Sequence, residues 1–438
     1  IESRKLFDAG GGSDRLVLQA KARTQAGALV DNLTQAAGLQ TEQFDEGAFV
    51  LGDGNNSVVA RAQALSEATA GASEGVDYRP STFAFGITQM TADANNITAG
   101  EQASLTSGNG TDHLSGKAEA IGRTDVAAYG VLFEQAQTGR GNDTVEGSAT
   151  AKSEDIAIAS GISVGLAEDV SLADNSVGTT FGLGAEAGEL DTGAENDTLK
   201  ARAKTIALRS ATARGLDGAN GAIQLRGGRD AIVANATAQV TSDDGDAEAV
   251  GIFGARIATG GDNDIIRAAA KILAVQGSTA KTTSSERGAP SQISVGIFGG
   301  SIATGDGNDR IATSSNQNLV GTSGIRLSGG QGLGGDVDLD LGTGNDALRG
   351  FGQATATGGE GVDTLLFDFS LRTFIAGGGS VSISGFDVDF SFAGVTLSTR
   401  QFERFRFGSA SGKGNQVLNS PSALQKAVEQ LEIGATIA

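Results

Sequence analysis

A glycine-rich turn that ends in aspartate recurs along this chain, and its oxygen atoms are suited to bind a hard cation. One copy spans residues 304 to 311 and has the sequence TGDGNDRI. Glycine tolerates the positive φ of a tight turn, so backbone carbonyl groups and the Asp309 carboxylate can converge on one point. The turn therefore predicts a calcium site, with Ca²⁺ as the cofactor.

Similar turns occur from Asp14 to Asp363. The alternative is that Asn and Asp merely favour turns, and this reading suits the less regular copies at Asn56, Asp230 and Asp363 best. The residues predicted to hold calcium or to shape its turns are Asp14, Asp112, Gly141, Asp143, Asp197, Gly261, Asp264, Gly305, Gly307, Asp309, Gly342, Gly344, Asp346, Gly359, Gly361 and Asp363.

The segments between the turns predict strands. Residues 199 to 206, LKARAKTI, place basic side chains on one face and small apolar ones on the other, as in a half-buried strand with a narrow interior behind it. The turns recur about every 42 residues, within the range of solenoids and propellers. A propeller is the alternative, but the chain has no Trp and only 2 Tyr as anchors. We therefore predict an all-β parallel solenoid, with surface loops such as 277–291.

The C-terminal part differs in composition. We predict a solenoid of about ten units over residues 1–363, a Phe-rich β cap over 364–410, and a linker with an amphipathic helix over 411–438. The linker is Gly412 to Asn415. Ser420 suits an N-cap and Pro421 the first helical position, so this is the one helix that the sequence clearly predicts.

Composition limits the possible partners. The formal net charge is -20, from 52 acidic and 32 basic residues, so a cation is a more natural partner than nucleic acid. Without Cys and with one His, His113, thiolate and histidine-based zinc sites are disfavoured. No apolar run reaches the roughly 18 to 20 residues of a membrane span, so no membrane insertion is expected. The chain begins at Ile1, which is compatible with processing.

Residues 304–312 resemble the nonapeptide of the RTX, or haemolysin-type, calcium-binding family, G-G-x-G-x-D-x-U-x, in which U is a large apolar residue. Gly305, Gly307, Asp309 and Ile311 match, and Thr304 replaces the first Gly. The resemblance implies that each calcium lies between the turns of successive coils. It also implies export by type I secretion, with the terminal helix as an uncleaved signal. The alternative for this helix is that its apolar face docks onto a neighbouring surface. The family's copies usually run in tandem, whereas these are separated, so a wider coil is expected.

Adjacent coils should share each calcium site. We expect Asp309 to act with Asp264 and Asp346, and repulsion between the stacked carboxylates to loosen this corner without cations. A threonine precedes several of the turns, which predicts internal stacking of the hydroxyl groups; these residues are Thr138, Thr192, Thr259 and Thr304.

These features predict a secreted structural protein of the bacterial cell surface or extracellular matrix, a coat, adhesin or filament subunit, and not an enzyme. Its expected partners are calcium ions and either further copies, head to tail, or cell-surface polysaccharide. The alternative is a calcium-dependent polysaccharide lyase or epimerase, or its non-catalytic module. Asp387 and Asp389 are its candidate carboxylate pair, although the sequence favours the explanation that they are outward-facing strand residues.

Overall fold

The computed structural model shows the all-β parallel solenoid that the sequence predicts, with a Phe-rich C-terminal cap and a terminal helix. It describes residues 7–24, 34–40, 48–67, 71–73, 76–78, 82–92, 96–99, 104–166, 182–183, 186–218, 221–242, 245–273, 292–321, 323–327, 331–408 and 416–437. The predicted surface loop at 277–291 and the linker at 412–415 lie outside these residues.

One side of the solenoid is a twelve-stranded sheet. Its strands alternate inward and outward side chains, because one face packs on the core and the other meets solvent. In sheet order they are Arg15–Thr24, Ser57–Ser66, His113–Ile121, Thr144–Lys152, Thr198–Ala207, Ala231–Val240, Ile265–Leu273, Arg310–Ser315, Ala347–Arg349, Thr364–Phe367, Arg404–Phe407 and Gln416–Leu418.

The rest of the coil belongs to a 21-stranded sheet. In chain order its strands are Phe7–Asp8, Thr34–Gln40, Ala48–Val50, Thr82–Thr88, Ser104–Thr106, Asp125–Phe133, Gln135–Gln137, Ile156–Leu166, Glu186–Ala187, Glu189–Asp191, Ser210–Asp217, Ala222–Gln224, Asp246–Phe253, Arg256–Ala258, Gln292–Phe298, Ser301–Ala303, Leu333–Asp340, Gly352–Thr357, Ser380–Ser384, Asp387–Phe392 and Val395–Arg400.

Short strands and two helices complete the described elements. Among the described residues, neither helix is long and apolar enough to cross a bilayer. The short strands are Gly71–Ser73, Val76–Tyr78, Met90–Ala92, Asn96–Ala99, Gly182–Leu183, Leu319–Val320, Arg326–Leu327, Thr343–Gly344 and Glu360–Gly361, and the helices are α1, Leu371–Ala376, and α2, Pro421–Ile437.

One coil illustrates how the chain returns to the same place. His113–Ile121 lies in the twelve-stranded sheet, Asp125–Phe133 and Gln135–Gln137 lie in the larger sheet, and a turn then leads to the next coil. His113 is in parallel register with Ser57 of the preceding coil and Thr144 of the following one. The turns of successive coils are therefore stacked on one another.

The interior has two parts. Leu, Ile, Val and Phe fill the part beside the turns, whereas a narrower part is lined almost entirely by Ala. Between them the two sheets come so close that a Cβ atom on Gly130 would lie 2.3 Å from the Ser148 nitrogen. The predicted narrow interior is thus correct for one half of the coil, and a glycine is required where the sheets meet.

The C-terminal cap is a cluster of buried Phe rings. The Phe390 ring centroid lies 4.8 Å from that of Phe367 and 5.9 Å from that of Phe405. Helix α2 covers this cluster with Leu424 and Val428, which belong to the main apolar core. The cap covers the core at this end of the solenoid, as the Phe-rich composition predicts.

The two helices differ in how well the sequence predicts them. The Ala423 amide donates to the Ser420 hydroxyl at 3.1 Å, which confirms the predicted N-cap of α2. Helix α1 was not predicted, because its six residues include Thr373 and Phe374 and show no clear period. Ser370 caps it by accepting from the Thr373 amide.

Candidate metal centre

The turn aspartates form one continuous ladder through the solenoid. In each step a side-chain oxygen, which is the carboxylate Oδ1 at every aspartate, accepts a hydrogen bond from the backbone amide of the corresponding residue in the preceding coil. The Asp264 amide donates to Asp309 at 2.8 Å, and the Asp309 amide donates to Asp346 at 2.7 Å. The predicted trio is therefore brought together. The full ladder is Asp14, Asn56, Asp112, Asp143, Asp197, Asp230, Asp264, Asp309, Asp346, Asp363 and Glu403.

A second ladder runs outside the first and in the opposite direction. Here an asparagine directly before the ladder residue uses its side-chain oxygen to accept from the following coil: the Asn308 amide donates to Asn263 at 2.6 Å, and the Asn345 amide donates to Asn308 at 3.0 Å. The turns that carry such an asparagine are thus held to the following turn by bonds of both directions; these residues are Asn55, Asn142, Asn196, Asn263, Asn308 and Asn345. This explains why Asn so often precedes the aspartate in the sequence.

The second carboxylate oxygen of each ladder aspartate has no partner. It is buried, and within the part of the chain that the structure describes no donor reaches it; the oxygens are Oδ2 of Asp14, Asp112, Asp143, Asp197, Asp230, Asp264, Asp309, Asp346 and Asp363. A buried charged oxygen without a donor or cation is costly, so this row requires a compensating group.

The predicted threonine row lies beside the aspartates but does not supply that group. Thr138 donates its hydroxyl proton to the carbonyl of Thr192 at 3.1 Å, and Thr259 donates to that of Thr304 at 3.1 Å. The threonines are therefore stacked through bonds from hydroxyl to carbonyl groups, and not between hydroxyl groups as predicted. Thr138 and Thr259 also lie close enough to Asp143 and Asp264 to lower the pKa of these carboxyl groups, but by less than burial raises it.

Asn56 shows what the unpartnered oxygens face. Its Nδ2 atom stands where the other turns have an aspartate Oδ2, and it donates to the carbonyl oxygens of Gly52 at 3.0 Å and Gly54 at 3.2 Å. An aspartate at the same place would direct a negative oxygen at two carbonyl oxygens. A cation between the three oxygens removes this repulsion, and such oxygens are the ligands that Ca²⁺ prefers. The residues present therefore fit a calcium ion.

Burial raises the pKa of eight ladder aspartates, which are Asp112, Asp143, Asp197, Asp230, Asp264, Asp309, Asp346 and Asp363. It raises the pKa of Asp143 and Asp264 to about 6, and that of Asp197 and Asp346 to about 7. Repulsion from neighbouring carboxylates adds to this effect but is not the largest cause. Asp230 has the highest pKa, about 8, with burial first and then Asp264 and Asp197 as causes of the rise.

These shifts predict how stability depends on pH when divalent cations are removed. Because the pKa of each carboxyl group is higher in the folded state, the folded protein holds these protons more tightly than the unfolded chain. The stabilisation is present below about pH 4 and is lost as the pH rises through about 6 to 8. Chemical unfolding in excess chelator should therefore show stability falling from pH 5 to pH 8. A rise over this range would contradict the buried carboxyl row.

Neither a protein-family model nor a curated protein sequence matches this chain. The calcium hypothesis therefore depends on the residues themselves. Within the described residues no three acidic or histidine side chains converge on one point, so each site offers carboxylate oxygen together with backbone carbonyl groups.

Most of the predicted turn glycines have the backbone conformation that the sequence implies. Gly261 differs, because it stands at the position of Asp306, whereas Gly260 and Asp262 occupy the positions of Gly305 and Gly307. The predicted glycines with positive φ are Gly141, Gly305, Gly307, Gly342, Gly344, Gly359 and Gly361.

Gly344→Ala should destabilise the protein, and Gly261→Ala should not. Gly344 has a φ of +145°, and a Cβ atom there would lie 1.4 Å from the Gly307 carbonyl oxygen, whereas a Cβ on Gly261 meets nothing closer than 4.0 Å. We expect Gly344→Ala to lose about 1–3 kcal/mol of unfolding free energy in calcium buffer. Equal stability of the two variants, measured by chemical unfolding, would be incompatible with the stacked turns.

Three acidic residues that the sequence does not predict as calcium ligands belong to the site or lie beside it. The predicted set omits Asp230 because its turn is irregular, yet Asp230 belongs to the ladder. Glu195 and Asp262 have φ values of +82° and +72° where other turns have Gly, and their carboxylates help to raise the pKa of the neighbouring ladder residues. The sequence signal for Glu195 and Asp262 is an acidic residue at the position that Gly307 occupies in its own turn.

The candidate carboxylate pair of the alternative function takes no part in the bonds of this ladder. Asp387 and Asp389 are exposed on a strand of the cap, whose other face carries the buried Val388 and Phe390. This is the outward-facing arrangement that simple strand alternation explains.

Proposed function

We propose that this chain is a calcium-binding structural protein in which Ca²⁺ ions hold successive coils of a solenoid together. The observation that carries the proposal is the row of buried, unpartnered aspartate Oδ2 atoms. Each ion would be bound by one such oxygen and by carbonyl oxygens of the same turn, as the Asn56 amide group indicates. It would connect two coils through the carboxylate, because the Oδ1 atom of the same aspartate accepts from the amide of the preceding coil. Glu195 and Asp262 would add negative charge to two of the positions.

The likeness of residues 304–312 to RTX repeats supports an extracellular setting for this protein. Extracellular modules bind calcium with dissociation constants of about 0.1–1 mM, which suits ions held by few charged ligands. The proposal is therefore a secreted coat, adhesin or filament subunit of a bacterial surface or matrix, without enzymatic activity. Its folding would follow export, since the buried carboxylates would be unpaired before calcium is met.

Calcium titration tests the proposal directly. At about 10 mM Ca²⁺, each occupied site with such affinity should add about 1.4–2.7 kcal/mol to the unfolding free energy. Several sites should thus raise the melting temperature strongly, as measured by circular dichroism. Mg²⁺ should act more weakly, because it prefers octahedral geometry and retains water. Identical melting curves in 10 mM Ca²⁺ and in excess chelator would overturn the proposal.

Self-association depends on what the two ends of the solenoid expose. Helix α2 covers the C-terminal end, whereas Arg15–Thr24 is an edge strand that pairs, among the described residues, only with Ser57–Ser66. Head-to-tail filaments would therefore join the cap of one copy to this edge. Electron microscopy at high calcium should show them, and monomers at high protein concentration would leave only the coat or adhesin form of the proposal.

The alternative function is that of a polysaccharide lyase or epimerase, and an activity measurement distinguishes it from the structural role. Incubation with alginate or pectate should give no ultraviolet absorbance from unsaturated uronates, the product of a lyase, and no exchange of the uronate C5 hydrogen with solvent deuterium, which an epimerase would cause. Absorbance that grows with time and depends on Asp387 or Asp389 would replace the structural role with catalysis.

A further inference from the structure

The solvent face of the twelve-stranded sheet is basic although the chain as a whole is acidic. We call this surface the basic face. Only Glu119 and Glu146 among its outward-facing strand residues are acidic. Its fifteen basic residues are Arg15, Lys21, Arg23, Arg61, Lys117, Lys152, Lys200, Arg202, Lys204, Arg267, Lys271, Arg310, Arg349, Arg404 and Arg406.

Little of this charge is neutralised within the protein. Arg23 pairs with Glu67, and Arg349 pairs with Asp368. In contrast, Arg202, Lys204 and Arg267 are exposed, and none of them forms an ion pair in the described part of the chain. The face therefore presents cationic groups that are available to a partner.

The arrangement of the charges is linear. Strands of a sheet lie about 4.8 Å apart, so twelve of them extend for about 50 Å along the solenoid. One register row carries Lys200, Arg267, Arg349 and Arg406, each separated from the next by one uncharged residue of the intervening coil. Side chains of one row are therefore about 10 Å apart. A straight row of this kind matches a long, extended anion better than a compact one.

Charge density distinguishes between possible polyanions. Duplex DNA carries one charge per about 1.7 Å, or about 30 over this length, twice the number of basic groups on the face. The flat sheet offers no element that enters a groove, and its outward strand residues include no Phe, Tyr or Trp on which single-stranded bases could stack. A single polysaccharide chain with about one charge per sugar suits the face better.

We propose that the basic face binds an acidic polysaccharide laid along the solenoid axis. The attraction is electrostatic and requires neither aromatic stacking nor a bound calcium ion, so it is independent of the proposed metal sites. It also explains how a chain with a net charge of -20 can hold a polyanion, because the acidic excess lies elsewhere on the molecule.

Chondroitin sulfate, with on average one charge per sugar, is a suitable probe because calcium does not make it gel. Binding would be measured by titration calorimetry in calcium buffer at 50 mM and 200 mM salt. We expect it to weaken about tenfold or more between the two salt concentrations, while neutral dextran does not bind. Binding that is insensitive to salt, or equal for dextran, would overturn the proposal.

Variants locate the site. The triple change Lys200→Gln, Arg202→Gln and Lys204→Gln should weaken binding roughly tenfold, because it removes three neighbouring cationic contacts from the face. The matched control is Arg256→Gln, Arg400→Gln and Lys426→Gln, which removes three exposed charges from other elements and should change binding less than twofold. Unchanged circular dichroism would verify that both variants fold. Equal weakening by the two triples would refute the assignment to this face.

Two further ligands decide the class of partner. Duplex DNA and phosphatidylglycerol vesicles, at the same charge concentration and salt, should bind more weakly than chondroitin sulfate. Tighter binding of DNA would make the face a nucleic-acid surface, and tighter binding of vesicles would make it a membrane surface. Either outcome would overturn the polysaccharide proposal without affecting the calcium titration.

Discussion

In calcium-free buffer, Asp309→Asn is expected to raise the unfolding free energy by about 1–3 kcal/mol, the cost of one buried unsatisfied polar group. The Asp309 Oδ2 atom has no donor, whereas an asparagine amide group there can donate to the turn carbonyls as Asn56 does to Gly52 and Gly54. The substitution thus provides a hydrogen-bond donor to the turn carbonyls, which the wild-type carboxylate cannot provide.

The same variant should lose its advantage under two conditions. In about 10 mM Ca²⁺ it has one site fewer, so its gain from calcium should be smaller by about 1.4–2.7 kcal/mol. Below about pH 4 the wild-type carboxyl group is protonated, and the difference should shrink. Burial raises the pKa of Asp309, which gives this pH dependence its sign.

Chemical unfolding of Asp309→Asn, Asp309→Ala and Asp338→Asn separates the causes. Asp338 is exposed on a strand outside the turns, so its substitution removes the same charge and should change stability by less than about 0.5 kcal/mol. Asp309→Ala leaves the Asp264 amide without its acceptor and should be destabilised in every buffer. An Asp309→Asn protein less stable than wild type in chelator would show that the ladder needs no cation.

Phe390→Ala is expected to cost about 3–5 kcal/mol, the largest effect of a single substitution that we predict. The ring is fully buried. Its centroid lies 6.3 Å from the ring centroids of Phe374 and Phe407, and closer to those of Phe367 and Phe405. Its removal leaves a cavity that rigid neighbouring strands cannot close.

The matched control for the cap is Phe386→Ala, because Phe386 is 59 % exposed on the same hairpin. We expect it to change the unfolding free energy by less than about 0.5 kcal/mol. Both variants would be unfolded with urea in calcium buffer. A loss below about 1 kcal/mol for Phe390→Ala would mean that the Phe cluster does not stabilise the C-terminal end.

Local patterns allowed the sequence to predict the solenoid and its turn aspartates. Alternation identifies strands with one solvent face, such as Thr198–Ala207, and Gly with Asp identifies the turns. The strand Asp125–Phe133 shows no alternation because every residue in it is buried. Only the structure therefore places this strand in the coil.

Other features depend on residues that are distant in sequence. The Asn56 amide group donates to carbonyl oxygens of its own turn. The sequence cannot predict this role, because it does not show that Gly52 and Gly54 direct their carbonyl oxygens at Asn56. The basic face is assembled from strands that lie tens of residues apart, and the net charge of -20 conceals it. Helix α1 is too short for a periodic signal, and its cap at Ser370 decides its start.

The bonds of the aspartate ladder hold across very different lengths of chain. The Asp346 amide bonds to Asp363, 17 residues away, and the Asn56 amide bonds to Asp112, 56 residues away, both at 2.8 Å. Coil length is therefore decoupled from the geometry of the turn. Segments can be lengthened, shortened or exchanged between two ladder residues without disturbing the bonds on either side. The protein is in this sense a modular scaffold, on which new surface sequences can be grafted one coil at a time.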